Sequence, residues 1–237
     1  MVMSASAKSV QMQQPGIAAR GLERHMLAWL SEQGWLAVLR AAQPQHRAAL
    51  TLWQGQDWPA VVRRFDVGAQ PGEICLGLPL PPDEHTGGKV RISLSVPALE
   101  ISRTSAAVEL RSALRYTGPW REALTALEKE AKHLHLRIYG SLAMQVLTGL
   151  RYLTPASDID ILFHPRSRKQ LEDGVALLSR HAAHLPLDGE IVFPGGLAVS
   201  WKEWQMAMVN PARVIVKELH AVRLMDTASL LAMLEHA

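Results

Sequence analysis

The sequence of 237 residues contains one cysteine, Cys75, and few aromatic side chains, 5% of the total. A single cysteine excludes an intrachain disulfide and a four-cysteine zinc site, and it fits a reducing compartment. Long apolar runs are also missing, because the longest stretch without a charged residue covers only residues 138–150. A membrane-spanning helix needs about 20 apolar residues. The sequence therefore predicts a protein with neither a disulfide nor a transmembrane helix.

The sequence also lacks a secretory signal and any long run of like charges. Residues 1–20 have no continuous apolar segment, so we interpret them as a disordered leader and expect a cytoplasmic protein. Lysine and arginine number 25 against 22 aspartates and glutamates, and the net charge is only +3. No run of five like charges supplies the basic arm of many nucleic-acid binders. We expect neither nucleic acid nor a membrane as a partner.

The composition that is present, 48% apolar and 20% charged, is that of an ordinary globular protein. The pattern of apolar residues changes near residue 115, which predicts an α+β protein with two domains. We expect residues 21–114 to form a smaller α+β domain. We expect residues 115–237 to form a larger domain, a mixed sheet with helices packed on it.

Apolar periodicity gives the expected elements of both domains. In the first domain an apolar stripe from Met26 to Leu36 predicts a helix, and strands are predicted at 60–65, 74–80 and 89–96. In the second domain helices are predicted at 117–134, 142–150 and 167–185, with a last helix capped by Asp226. Strands are predicted there at 136–141, 157–165, 190–194, 197–204 and 214–224.

Asp158 and Asp160 open the predicted strand 157–165. Residues i and i+2 of a strand point to the same face, so the two carboxylates lie side by side while Ile159 and Ile161 face the core. Neighbouring carboxylates repel each other, and a divalent cation relieves that repulsion. Mg²⁺ prefers one or two carboxylates together with phosphate oxygens and water. The pair therefore predicts a magnesium and triphosphate site.

Gly140 and Ser141 lie where the strand 136–141 turns into the next helix. A glycine there allows the backbone to approach a phosphate closely, and the free N–H groups at a helix start favour an anion. Ser141 adds a hydroxyl donor. We predict that the two residues bind substrate phosphate, and we add Lys202 and Arg151 as further candidate phosphate ligands.

A third carboxylate would complete the site, and either Glu190 or Asp188 supplies it as a metal ligand or general base. Glu190 is favoured because it opens the predicted strand 190–194, whereas Asp188 precedes Gly189 in what is expected to be a turn. Trp201 and Trp204 are suited to stacking on an adenine, but core packing is the preferred interpretation.

The segment YGSLAMQVLTGLRYLTPASDIDILF (139–163) resembles the nucleotidyltransferase superfamily of the polymerase-beta type. Its signature is a glycine-serine or glycine-glycine turn followed by two acidic residues with one residue between them, and by a third acidic residue on a later strand. The segments 188–204 and 62–65 narrow the resemblance to the malonate decarboxylase holo-acyl carrier protein synthase family, the phosphoribosyl-dephospho-CoA transferases. The likeness covers most of residues 21–237 and is strongest from 137 to 204.

The resemblance implies Mg²⁺-dependent transfer of phosphoribosyl-dephospho-CoA from triphosphoribosyl-dephospho-CoA to a serine of the apo acyl carrier protein subunit of malonate decarboxylase, with release of pyrophosphate. Asp158 and Asp160 would hold Mg²⁺, and Gly140 with Ser141 would bind the β- and γ-phosphates. Glu190 or Asp188 would help to deprotonate the serine. Residues 115–237 would be the nucleotidyltransferase-like catalytic domain, and residues 21–114 would recognise the substrate or the carrier protein. Two alternatives stay open: a small-molecule nucleotidyltransferase that uses an ordinary nucleoside triphosphate, and an inactive binding module of the same fold.

Overall fold

The computed structural model describes residues 21–83, 85–210 and 212–235, so the expected leader at 1–20 lies outside the described residues. Two sheets with helices packed on them organise this part of the chain, which confirms the predicted mixed α/β class with two domains. No helix in the described ranges is long and apolar enough to cross a membrane.

The N-terminal domain is built on an antiparallel sheet with two helices inserted after its first strand. The strands are β1 (Leu27–Leu30), β2 (Ala60–Val62), β3 (Glu73–Pro79), β4 (Arg91–Pro97) and β5 (Ile101–Ser105), in the order β4-β3-β2-β1-β5. The helices are α1 (Glu32–Ala41) and α2 (Pro44–Gly55). Every second residue of β4 is buried, as its alternating sequence predicts.

The C-terminal domain is built on a mixed sheet of order β12-β11-β10-β9-β8-β7-β6. The strands are β6 (Val108–Glu109), β7 (Arg137–Ile138), β8 (Ile159–Phe163), β9 (Leu187–Phe193), β10 (Leu197–Ser200), β11 (Arg213–Lys217) and β12 (Val222–Asp226). The helices are α3 (Leu110–Ala113), α4 (Arg121–Glu130), α5 (Gly140–Thr148), α6 (Arg168–His181), α7 (Trp201–Val209) and α8 (Thr227–Glu235). Only β8 and β9 run parallel among the described pairs, because α6 crosses over between them.

Local sequence explains where several of these elements begin. The side chains of Ser31 and Ser167 accept hydrogen bonds from backbone N–H groups in the first turns of α1 and α6. Asp226 accepts a hydrogen bond from the backbone N–H of Ser229 at 2.8 Å and so caps α8, as predicted. Gly149 ends α5 in the left-handed conformation that favours glycine.

Two predicted elements are wrong in type, and a third is correct in type but is interrupted by a turn. The stripe from Met26 to Leu36 spans strand β1 and the start of α1, because the Ser31 cap separates them. The predicted strand 197–204 ends at Ser200 and continues as helix α7, whose Trp201 and Trp204 are both buried three residues apart. The predicted strand 214–224 is the hairpin of β11 and β12. Short apolar runs fit a strand and a helix equally well.

The two domains pack against each other through buried side chains. Met144 and Tyr152 of the C-terminal domain are buried in the core cluster of the N-terminal domain. The Tyr152 hydroxyl donates a hydrogen bond to the Pro79 carbonyl at 2.8 Å. The last strand of the first sheet ends at Ser105, and the first strand of the second begins at Val108. These contacts place the N-terminal domain against the helix α5 that carries Gly140.

Candidate active site

The parallel pair β8–β9 brings acidic residues together on the sheet face opposite the helices. Ile159, Ile161 and Phe163 are buried in the main core, so Asp160 points to the other face. In the register of the pair, Asp160 lies directly opposite Asp188. Asp188 is thus within strand β9, not in a turn before a strand, and the expectation of an Asp-Gly turn there is wrong.

Gly140 begins α5 directly beneath the Asp160 carboxylate. A β-carbon added at Gly140 would lie 2.0 Å from Oδ2 of Asp160, and the glycine has φ +66°. Only glycine accommodates both the positive φ and this close approach. The predicted phosphate-binding turn, Gly140 and Ser141, therefore lies against one of the two predicted metal-binding aspartates.

The acidic residues around Asp160 act on each other electrostatically. Burial, followed by the charges of Asp158 and Asp188, raises the pKa of Asp160 to about 7. Lys89, from the turn between β3 and β4, is near enough to oppose that rise. We call Asp158, Asp160 and Asp188 the acidic cluster. Its charges are poorly compensated, and a bound cation would lower their mutual repulsion.

The donor chemistry of the acidic cluster fits Mg²⁺, which needs only one or two carboxylates besides water and substrate oxygens. Within the described residues no three His, Cys, Asp or Glu side chains converge tightly enough to enclose a metal by themselves. A site completed by substrate phosphate is therefore the arrangement that these residues can form.

Glu190, the favoured third carboxylate, has a different environment two residues along β9. Its side chain is only 3% exposed, and it accepts hydrogen bonds from Arg24 at 3.0 and 3.2 Å and from Lys217 at 2.9 Å. Nε2 of His25 lies 3.2 Å from Oε2 of Glu190. Burial alone would raise its pKa, but the His25 contact and the Arg24 charge hold the pKa of Glu190 well below its usual range.

The groups around Glu190 come from both domains, and we call Arg24, His25, Glu190 and Lys217 the interdomain anchor. Arg24 and His25 precede β1, whereas Lys217 ends β11. Burial lowers the pKa of His25 despite the carboxylate beside it, so the imidazole is neutral near pH 7. Its ring packs on Tyr139 with centroids 3.9 Å apart, next to Gly140. Glu190 thereby joins the two domains beside the acidic cluster.

A cleft of about 670 Å³ runs between the domains beside these groups. Asp160, Gly140, Ser141 and Lys217 line its C-terminal side, and Tyr139 lies among them. The N-terminal side is formed by several cations and short apolar residues of the first sheet. That volume is within the range of sites for cofactor-sized molecules.

Family models match both parts of the chain. The match over residues 23–107 is described as "Phosphoribosyl-dephospho-CoA transferase MdcG N-terminal domain", and the match over 107–228 as the C-terminal domain of the same transferase. The chain belongs to the phosphoribosyl-dephospho-CoA transferase family. The predicted family is thereby confirmed, and the protein is a transferase.

Curated proteins named phosphoribosyl-dephospho-CoA transferase are similar over nearly their whole length. One from Xanthomonas campestris pv. campestris (strain 8004) is 35% identical over 212 residues, 87% of this chain and 95% of its own. One from Xanthomonas axonopodis pv. citri (strain 306) is 36% identical with the same coverage. One from Bradyrhizobium diazoefficiens is 35% identical over 86% of this chain and 89% of its own. No solved structure matches the chain.

The remaining predicted phosphate ligands are less centrally placed in this phosphoribosyl-dephospho-CoA transferase family member. Lys202 is in the first turn of α7, with Nζ 3.7 Å from Oδ1 of Asp188 and its side chain half exposed. Arg151 is exposed in the loop after α5 and is not among the residues that line the cleft. The structure therefore brings Lys202 to the acidic cluster and leaves Arg151 at its periphery.

Sequence reasoning missed four cations and a histidine of the site: Arg24, His25, Lys89, Arg91 and Lys217. One signal existed, because Glu190 precedes the apolar run Ile191–Phe193 and a carboxylate buried with such a run needs a cationic partner. The sequence does not say which of 25 lysines and arginines that partner is.

Proposed function

We propose that the protein transfers the phosphoribosyl-dephospho-CoA group from its triphosphate precursor to a serine of the malonate decarboxylase acyl carrier protein. The reaction releases pyrophosphate and depends on Mg²⁺. Family membership supports the transferred group. The observation that carries the proposal is the acidic cluster lying against the start of α5, with Gly140 under Asp160 and Asp188 in register beside it.

In this proposal the serine oxygen attacks the α-phosphorus of the donor. The new phosphoester bond forms as the bond from that phosphorus to pyrophosphate breaks, and the serine proton leaves. Asp158 and Asp160 hold Mg²⁺, which when bound neutralises charge on the phosphate oxygens. The N–H groups and hydroxyl at Gly140 and Ser141 bind the β- and γ-phosphates. Positioning and charge neutralisation supply most of the catalysis in such reactions.

We assign the third carboxylate to Asp188, which accepts the serine proton. Its side chain is 42% exposed and borders Asp160, so an acceptor can reach it. The Glu190 carboxylate is already occupied by hydrogen bonds from Arg24 and Lys217 and is almost completely buried. Glu190 therefore holds the domains together, and the earlier preference for it as the third carboxylate is replaced.

A transfer assay read by intact mass tests the proposal. Protein, Mg²⁺, triphosphoribosyl-dephospho-CoA and the apo carrier subunit are mixed, and the carrier should gain the mass of one phosphoribosyl-dephospho-CoA group. The Asp158→Asn/Asp160→Asn variant should give no gain. A matched control, Glu172→Gln/Asp173→Asn, removes two exposed carboxylates of α6 and should keep full activity. Folded wild-type protein that leaves the carrier unmodified would refute the proposed reaction.

A further inference from the structure

The N-terminal side of the cleft carries a row of cations that the proposed chemistry does not use. Arg64 follows β2, and Lys89 and Arg91 lie at the start of β4; we call these three residues the basic wall. All three are exposed and line the cleft. Their neighbour Arg63 is different, because it is held by both carboxylate oxygens of Asp66. The basic wall thus faces the cleft with charge available to an anion.

The basic wall spans strand β3, which lies between β2 and β4 in the first sheet. Lys89 lines the same cleft as Asp160. Arg91 is paired with Pro79, which accepts a hydrogen bond from Tyr152 behind α5. At the other end, Phe65 beside Arg64 donates a backbone hydrogen bond to the carbonyl of Leu219 in the β11–β12 hairpin. Arg64 and Arg91 therefore belong to the N-terminal side of the cleft, whereas Asp160 is carried by β8 on its C-terminal side.

A phosphate donor of the proposed kind carries two separate anionic groups. The triphosphate reacts. Its negative charge would be neutralised by Mg²⁺ held at the acidic cluster and by the N–H groups at the start of α5. The dephospho-CoA part contains a diphosphate that does not react and stays ionised at neutral pH. A guanidinium binds phosphate oxygens through paired N–H donors, so arginines without a metal are suited to that group.

We propose that the basic wall binds the non-reacting diphosphate of the dephospho-CoA part, which makes the N-terminal domain the donor-recognition domain. This inference rests on the proposed function for the identity of the donor. The apolar residues Pro79, Leu80 and Val90 line the cleft between the cations and offer surface to the rest of the donor. Binding energy from a remote part of the substrate then positions its reacting end.

Binding measurements on the intact protein test this without requiring turnover. Dephospho-CoA, which lacks the triphosphate, should bind the wild-type protein in isothermal titration calorimetry. The Arg64→Gln/Arg91→Gln variant should bind it at least tenfold more weakly, and binding of tripolyphosphate with Mg²⁺ should change less than twofold. The control variant Arg40→Gln/Arg47→Gln removes two exposed cations of α1 and α2 and should bind both probes normally.

The outcomes separate this inference from the proposed function. Equal affinity of wild type and variant for dephospho-CoA, or no binding by either, overturns the donor-recognition role even if transfer to the carrier is observed. Weaker binding of the apo carrier protein with unchanged dephospho-CoA affinity also overturns it, and assigns the basic wall to the acceptor. Loss of dephospho-CoA affinity supports it even if the malonate decarboxylase carrier is not the acceptor.

Discussion

Asp188 and Glu190 lie two residues apart on the same strand and face, and their electrostatic environments are opposite. Asp188 lies in register with Asp160, and Nζ of Lys202 is 3.7 Å from its carboxylate. Glu190 is buried with two cations at hydrogen-bond distance. The comparison shows that strand position alone does not decide what a carboxylate does. What differs is whether cationic side chains neutralise the carboxylate. A carboxylate without such partners can bind a cation or a proton, whereas one with them joins the two domains.

Gly189 separates these two environments. It has φ +132°, and an added β-carbon would lie 2.0 Å from the Ile161 carbonyl oxygen. Any larger residue would push β9 away from β8 at that point. The close approach keeps Asp188 beside Asp160 and Glu190 beside the anchor cations, so one glycine maintains both arrangements.

The largest expected effect comes from replacing Asp188, the carboxylate proposed to accept the serine proton. Asp188→Asn should lower kcat about a thousandfold, because a positioned general base contributes roughly 10²- to 10⁴-fold. The melting temperature should hardly change, since the side chain is partly exposed. The measurement is steady-state transfer to the carrier, followed by intact mass, with thermal unfolding of the same sample. A variant with wild-type kcat would show that Asp188 is not the general base.

The second largest effect should appear in stability. Glu190→Gln leaves the Arg24 and Lys217 charges without their carboxylate and should cost about 3 kcal/mol of unfolding free energy. Glu130→Gln is the matched control, because Glu130 also has two basic partners, Arg180 and His181, but is half exposed. Its stability should change far less than that of Glu190→Gln, because water screens an exposed ion pair. Urea unfolding of both variants makes the comparison, and equal costs would contradict the assignment of Glu190 as an anchor.

These two residues also show how far sequence reasoning reaches. That Asp160 faces away from the core follows from strand periodicity, and the helix start at Gly140 follows from the glycine-serine turn. Both are local properties. The register that sets Asp188 beside Asp160 depends on how strand β9 returns after α6, and no local pattern encodes it. The sequence favoured Glu190 because the strand was predicted to begin there, whereas β9 begins at Leu187.

The interdomain anchor is even harder to predict from local sequence patterns. Arg24 is 166 residues from Glu190, and only the packing of the first domain on the second brings them together. Alternation in β4 and the helix cap at Asp226 were predicted, because each involves neighbours along the chain, whereas the cap at Ser31 was missed. Charge pairs between domains have no such signature.

Asp160→Asn should stabilise the protein where Glu190→Gln destabilises it. The pKa of Asp160 is about 7 in the folded protein against 3.8 when unperturbed, so the folded state holds the proton more tightly. Wild-type stability therefore falls as pH rises from about 4 to 7, and the variant escapes that loss. The gain should be near zero at pH 4 and about 2 kcal/mol at pH 8 without metal, allowing for solvent screening.

Thermal unfolding at several pH values, with and without Mg²⁺, measures this gain. Added Mg²⁺ should raise the wild-type melting temperature at pH 8 and leave the Asp158→Asn/Asp160→Asn protein unchanged, because ligand binding to the folded state stabilises it. A variant less stable than wild type at pH 8 would show that Asp160 is compensated like Glu190, and the comparison would fail.

The smallest effect is expected at Lys202, and it decides whether Asp188 has a true partner. The side chain is half exposed and its Nζ is 3.7 Å from Asp188, beyond hydrogen-bond distance. Exposed pairs of this kind contribute about 0–1 kcal/mol, so Lys202→Gln should change the unfolding free energy by less than about 0.5 kcal/mol and KM for the donor by less than threefold. Urea unfolding and steady-state transfer test both values. A loss of more than about 2 kcal/mol of unfolding free energy would mean that Lys202 holds Asp188 as firmly as Glu190 is held by its cations. A carboxylate held in that way could not serve as the base. A small loss leaves the Asp188 carboxylate free to accept the proton of the attacking serine.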